Sequence, residues 1–277
     1  MPKLYGVIGD PIDHSLSPVM HQKWLRENGY DDHYHAFRVT KDQLEDAVRG
    51  LRALGVSGFN VTIPHKTAII PLLDDIDEEA EVIGAVNTVI NENGRLVGTN
   101  TDAIGFMKSL EEKGFAPEAG DSVLVIGAGG AARAVCAALA KRAKIRVDLT
   151  NRTPEAAERL SARFFNSNES AVWTLEEAEK RLAQYRLIIN ATPVGMSGFA
   201  DALPVRTERL TAHTICVDLI YRPLKTRFLE AAEQIGAPAL NGLPMLIHQG
   251  AAAFQRWLGI WPDTFNMEKY LLENYFQ

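Results

Sequence analysis

The chain has 277 residues and a net charge of −6, with 46% hydrophobic and 23% charged residues. That composition belongs to an ordinary globular protein with room for two domains, and it argues against nucleic-acid or anionic-membrane binding, which need basic surface. The two cysteines, Cys136 and Cys216, each sit inside an apolar run, so neither a disulfide framework nor a cysteine metal site is expected.

From the N-terminus, "KLYGVIGD" reads as a strand and lacks the form of a signal peptide. No apolar stretch is long enough to span a bilayer, so a cytoplasmic location is expected. "SPVMHQKWLREN" is a helix ending at Gly29, with Pro18 at its first position. Ser17 before it has two readings: a simple N-cap, or, with Ser15, a small anion site at the helix N-terminus. "DHYHAFRV" is a strand. "KDQLEDAVRGLRAL" is a helix, with Thr40 and Gln43 placed as a capping box and Gly55 as its stop.

After the strand "GFNVTI", Pro64 suits the first position of a helix, which puts Lys66 in the first turn. The unpaired N–H groups there disfavour a cation. A lysine in that place is either simply exposed or kept for chemistry.

"AVNTVI" and "RLVGTN" around "NENG" form a hairpin. With Ile90 facing Arg95, Asn87 falls near Gly98 and converges with Asp102 on one pocket wall. Asp102 alone is also a plausible N-cap, in competition with Thr101. "DAIGFMKSLEEKG" follows as a helix leading out of this domain. His33 and His35 share a strand face without metal-ligand company, and no metal is expected.

From about Asp121 the character changes. "SVLVIG", "IRVDLT", "RLIINAT", "TICVDLI" and "APALN" are apolar runs separated by helical segments, the pattern of a doubly wound parallel sheet. The fold class expected is therefore α/β, with two α/β domains and a cleft between them. Residues 1–101 plus 243–277 form the substrate and catalytic domain, and residues 102–242 the Rossmann-type nucleotide domain.

Gly127-x-Gly129-x-x-Ala132 stands between a buried strand and a helix, the placement a pyrophosphate loop requires. The next strand runs out into Asn151-Arg152-Thr153, where a guanidinium matches a 2′-phosphate and favours NADP over NAD. Asp148 is the rival, a candidate ribose-binding acid set before the strand end. In the helix "LPMLIHQGAAAFQRWLG", Met245, Gln249 and Ala252 share one face, while Leu246, Ala253 and Trp257 share another that is assigned to the core. The closing "ENYFQ" is close to a protease-tag remnant and receives no functional weight.

Ser15-Leu16-Ser17-Pro18, "NVTIPHK", "GAVNT", "GTNTDAIG", "GAGGAARA", "NRT", "ATPVGMS", Asp218-Leu219-Ile220-Tyr221 with Pro223 and Thr226, and "NGLPMLIHQGAAAF" together resemble the shikimate dehydrogenase family. The resemblance implies NADP-linked interconversion of shikimate and 3-dehydroshikimate, a step towards chorismate and the aromatic amino acids. It implies that Ser15 and Ser17 hold the substrate carboxylate, and that Thr62, Asn87, Asp102 and Gln249 bind ring hydroxyls. Lys66 and Asp102 would be the catalytic pair, with Tyr221 lining the substrate pocket. Gly127, Ala128, Gly129, Gly130 and Ala131 would carry the pyrophosphate, and Asn151, Arg152 and Thr153 the 2′-phosphate end. Met245 and the "ATPVGMS" loop with Thr192 and Met196 would approach the nicotinamide, and Leu219 and Gly242 would complete the cofactor site.

One departure stands out. Ala156 takes the place where NADP-binding members often carry a second basic residue, with Arg159 one helical turn on. Dehydrogenases acting on quinate, or with NAD, are the neighbouring alternative, and a non-catalytic NADP-binding regulator is the more distant one. A monomer and a homodimer joined through the N-terminal domain both stay open.

Overall fold

The computed structural model describes residues 1–196, 198 and 202–276. The chain divides into two compact units: Met1–Gly105 with Ile247–Tyr275, and Phe106–Leu246 with Phe276.

The first unit contains β1 (Leu4–Gly9), α1 (Ser17–Glu27), β2 (His33–Arg38), α2 (Leu44–Ala53), β3 (Gly58–Val61), β4 (Asp75–Ile76), α3 (Glu78–Ile83), β5 (Thr88–Glu92) and β6 (Arg95–Thr99), and α4 (Asp102–Glu112) begins in it. Its six-stranded sheet runs β2-β1-β3-β5-β6-β4. β2, β1 and β3 are mutually parallel, and β5 turns antiparallel to both β3 and β6. Ile8, Val48, Phe59, Val61, Val89 and Leu96 close one core face. α2 contributes through Leu44, Val48 and Leu51, spaced to fall on one side of a helix. It starts as the sequence indicates, after a short 3₁₀ turn in which the Thr40 N–H donates to Gln43 Oε1 at 3.4 Å.

Two local expectations are corrected. Pro64 does not open an α-helix. The Ile63–Pro64 bond is cis, and the His65 N–H closes a turn onto the Thr62 carbonyl at 2.9 Å. Lys66 therefore lies in irregular turns that lead to a short 3₁₀ segment at Ile70–Leu72, not on the positive end of a helix. The hairpin register also differs: Ile90 faces Val97, and Glu92 faces Arg95. Only Asn93 and Gly94 turn the chain, both at positive φ (56° and 96°), as a two-residue hairpin loop matching strand twist requires. Asn91 and Glu92 thus belong to the strand, and the Asn87 N–H meets the Thr99 carbonyl.

The second unit follows with β7 (Ser122–Ile126), α5 (Gly130–Ala140), β8 (Arg146–Thr150), α6 (Pro154–Phe164), β9 (Val172–Trp173), α7 (Leu175–Arg181), β10 (Leu187–Asn190), β11 (Ile215–Asp218), α8 (Arg227–Gln234) and β12 (Ala239–Leu240). α9 (Leu243–Leu258) leads back to the first unit, which α10 (Thr264–Tyr275) completes. The sheet order is β12-β11-β10-β7-β8-β9, and every pair is parallel. The chain winds outwards from β7 in one direction and from β10 in the other. The ends of those two adjacent strands form the switch point where such sheets bind ligands. β9 is too short, at two residues, to show a pattern in the sequence.

Candidate active site

In the first unit, Lys66 Nζ lies 2.5 Å from Asp102 Oδ2. Asp102 is the first residue of α4, and it is Thr101 that accepts the Gly105 N–H. The Asp102 carboxylate is thus not spent on capping. Its Oδ1 accepts from Asn87 Nδ2 at 2.8 Å, so the two oxygens have different partners. Asn87 Nδ2 also lies 3.3 Å from Gln249 Oε1, on α9. That approach depends on Gly105: a Cβ there would stand 2.7 Å from the Gln249 backbone nitrogen and Cβ.

The orientation of Asn87 is unambiguous. Its Oδ1 receives the Thr101 backbone N–H at 2.8 Å and the Thr88 hydroxyl at 2.9 Å, so the amide nitrogen must face the carboxylate. Asp102 is buried, and the lysine side chain keeps 20% exposure. An ammonium has three N–H donors, and Asp102 is the only described acceptor here. The remaining donors are available to an oxygen on a ligand.

Ser17 is itself the first residue of α1, follows Leu16 at the cap position, and makes no side-chain cap bond, which overturns its N-cap reading. Its backbone N–H instead donates to Ser15 Oγ at 3.3 Å, which sets the Ser15 hydroxyl against the first turn of α1. Thr62 follows β3, and its methyl would meet a Cβ at Gly9 at 2.4 Å.

In the second unit the glycine loop lies at the switch point. Gly127 has φ +110°, and a Cβ on it would approach Thr192 Cγ2 to 2.9 Å and the Ala191 carbonyl oxygen to 3.0 Å. A Cβ at Gly129 would meet nothing within 4 Å, so its face is open where α5 begins at Gly130. Ala128 stands between these two glycines, and Ala131 is the second residue of α5. The buried Thr150 hydroxyl at the end of β8 has no described partner. Arg152, two residues on, is exposed and makes no hydrogen bond or ion pair with another described residue. Asn151 Nδ2 caps this turn by donating to the Thr153 carbonyl at 2.9 Å. An open glycine face, an orphaned hydroxyl and a free guanidinium suit a phosphorylated dinucleotide.

Asp148 does not compete for a ribose. It is 3% exposed and accepts from the Ala171 N–H, Trp173 Nε1 and the Tyr185 hydroxyl, each at 2.9 Å, with Arg146 Nε at 3.0 Å. Its lone pairs tie β8 to β9 and leave none for a ligand.

The other residues expected near a nicotinamide are also in this unit. Asn190 Oδ1 accepts from the Thr192 N–H and hydroxyl, shaping the loop after β10, where Met196 is exposed. Ser197, last of the "ATPVGMS" run, lies outside the described residues. Gly242 packs against Leu219, because a Cβ there would fall 2.0 Å from the Leu219 carbonyl oxygen. Tyr221 is half-buried, and burial pushes its phenol up. Met245 is buried.

Family models match three segments of the chain: the shikimate dehydrogenase substrate binding domain over residues 7–89, shikimate / quinate 5-dehydrogenase over residues 109–201, and the shikimate 5'-dehydrogenase C-terminal domain over residues 242–271. The chain is 49% identical over 273 residues to the shikimate dehydrogenase (NADP(+)) of Geobacillus kaustophilus, covering 99% of each. It belongs to the shikimate dehydrogenase family. Among solved structures, a shikimate dehydrogenase in complex with NADP+ superposes with a TM-score of 0.92 at 40% identity, over 98% of this chain and 95% of that one. The Thermus thermophilus shikimate 5-dehydrogenase in complex with NADP(H) and shikimate gives 0.87 at 40% identity, over 96% and 97%.

Tyr34, Asn60, Thr88 and Gly105, which pack or hydrogen-bond around these side chains, are not singled out by the sequence, and Thr101 enters there only as a rival N-cap to Asp102. Asn60 opens the quoted "NVTIPHK" and Gly105 sits inside "GTNTDAIG", so both carried a signal. Tyr34 and Thr88 read only as strand residues.

Proposed function

We propose that the protein interconverts shikimate and 3-dehydroshikimate with NADP(H), and that Lys66 and Asp102 carry the proton chemistry. The observation that carries this reading is the 2.5 Å Lys66–Asp102 pair, its carboxylate held by Asn87, in a chain of this family. A dinucleotide held with its pyrophosphate at the glycine loop would supply or accept the hydride through its nicotinamide. The chain's own residues do the rest. As the ketone is reduced, negative charge grows on its oxygen, and the Lys66 ammonium neutralises that charge and donates a proton to it. In the oxidising direction the amine takes the hydroxyl proton back. Asp102 fixes the ammonium and balances its charge, and Asn87 keeps the carboxylate turned towards it.

Ser15 and Ser17 donate to the substrate carboxylate, while Thr62, Asn87 and Gln249 meet ring hydroxyls. Tyr221 is assigned to the substrate and Met245 to the nicotinamide. Gly127 to Ala131 hold the pyrophosphate, Arg152 the 2′-phosphate with Asn151 and Thr153, and Thr192, Met196, Leu219 and Gly242 the nicotinamide end. The reading places the enzyme in the cytoplasm, in keeping with two buried free cysteines. A homodimer joined through the first unit is the alternative to a monomer, and sedimentation separates the two.

The test is a spectrophotometric assay with shikimate or quinate, each with NADP+ or NAD+, alongside Lys66→Ala. Turnover is expected to be fastest with shikimate and NADP+, and kcat to fall at least ~100-fold in the variant. Faster turnover of quinate with NAD+ would transfer the reading to the quinate branch of the family. NADP+ binding without turnover of either substrate would overturn it in favour of a regulator.

A further inference from the structure

We propose that Tyr34 is a positioning residue for the Lys66–Asp102 pair, acting through an ordered chain of buried hydrogen bonds within the first unit. The inference rests on the reading of that pair as catalytic.

The Tyr34 hydroxyl lies 2.7 Å from Asn60 Oδ1. Asn60 Nδ2 faces the Asn87 carbonyl at 3.2 Å and the Thr88 hydroxyl at 3.1 Å. A carbonyl accepts only, so the Asn60 nitrogen must be on that side and its oxygen must face Tyr34. The phenol is therefore the donor to Asn60. The Thr88 hydroxyl donates in turn to Asn87 Oδ1 at 2.9 Å, and Asn87 Nδ2 donates to Asp102 Oδ1 at 2.8 Å. From Tyr34 to Asp102 each link donates in the same direction, and the chain ends on the carboxylate that holds Lys66. Burial pushes the phenol's pKa well up, and the Ser17 side chain draws it partly back.

The chain is built to stay in place. Tyr34, Asn60, Asn87, Thr88 and Asp102 are all buried. The Tyr34 ring stacks on His21 at 4.4 Å with 3° between the planes, and its backbone N–H donates to Gln22 Oε1 at 3.2 Å. The ring cannot swing, so the hydroxyl is a fixed reference for the Asn60 amide. Without it, Asn60 Oδ1 loses its donor, and the amide that directs Thr88 and Asn87 is free to turn.

Tyr34→Phe removes the hydroxyl and keeps the ring. The expected result is a roughly 10-fold fall in kcat/KM for shikimate, the effect of leaving one buried acceptor unsatisfied, with the KM for NADP+ unchanged. Thr88→Val breaks the chain one link further on, and the double variant should lose less than the product of the two effects, because both cut one path. If Tyr34→Phe fails to fold, the same fall in Thr88→Val alone supports the proposal. A purely structural role would lower Tm while leaving kcat/KM within about two-fold, and that outcome overturns it, as does a fully multiplicative double variant. Asp102→Asn is run in parallel. If it keeps full activity, the catalytic-pair reading fails and this inference with it; if it is inactive while Tyr34→Phe is normal, only this inference fails.

Discussion

Lys66 and Asp102 are 36 residues apart in the chain, and they meet at 2.5 Å because the turn after β3 and the start of α4 are brought to the same place in the first unit. Their exposures are unequal, 20% for the lysine side chain and 7% for the carboxylate. The buried member is held from two sides, and the more accessible one is left with donors to spare. That asymmetry suits an anchor and a proton carrier.

Replacing the anchor should therefore damage chemistry more than fold. Asp102→Asn keeps the shape and one acceptor oxygen but removes the charge that balances the ammonium. Steady-state kinetics should show kcat reduced ~100-fold or more. An unchanged far-UV circular dichroism spectrum would show the fold to be intact.

Cofactor preference should follow Arg152. A guanidinium on a phosphate is a charge-assisted contact worth ~1.5–3 kcal/mol. Arg152→Ala should thus raise the KM for NADP+ by roughly 10- to 100-fold and leave that for NAD+ nearly unchanged. Equal effects on the two nucleotides would remove Arg152 from the 2′-phosphate.

The two loop glycines should respond differently to alanine. Gly127→Ala forces a side chain into φ +110° and against Thr192, so Tm and NADP+ affinity should fall together. Gly129→Ala meets no protein atom within 4 Å, so Tm should hold while NADP+ affinity falls, the added methyl occupying space meant for the pyrophosphate. Calorimetry and nucleotide titration separate the two cases.

His21 should make the protein acid-sensitive. Its ring is 1% exposed among Tyr34, Trp24, Phe254 and Trp257, and burial pushes its pKa from 6.5 down to about 3. Below pH 6.5 the unfolded chain binds a proton that the folded chain refuses until about pH 3, so stability is lost as pH falls through that window. Between pH 7 and 5 the loss from this group is ~2 kcal/mol. Urea unfolding of the wild type and of His21→Phe at both pH values should show that increment vanish in the variant.

Much of this was legible before any tertiary contact was known. The apolar runs at β7, β8, β10 and β11 announce strands buried on both faces, and the glycine loop between β7 and α5 has the spacing a pyrophosphate needs. Lys66, Asn87, Asp102 and Gln249 stand in motifs that mark them. The places where sequence misled are those where a local rule met a distant partner. Pro64 fits a helix start by propensity, yet the chain turns there, with the His65 N–H closing onto Thr62 and the Lys66 carbonyl accepting from the Val86 N–H at 2.8 Å. Asp148, which the sequence left only as a rival to Arg152, drops out because Trp173 and Tyr185 consume its oxygens.

The order of elements, the α/β class and the chemical types in each unit are set locally, because periodicity, turn residues and glycine spacing act over a few residues. Which polar atoms are committed to one another is set by packing between distant segments. The direction of the hydrogen bonds from Tyr34 to Asp102 depends on carbonyls and hydroxyls from β2, β3, β5 and α4. A buried donor takes whichever acceptor the packing brings within about 3 Å, and no local pattern records that choice.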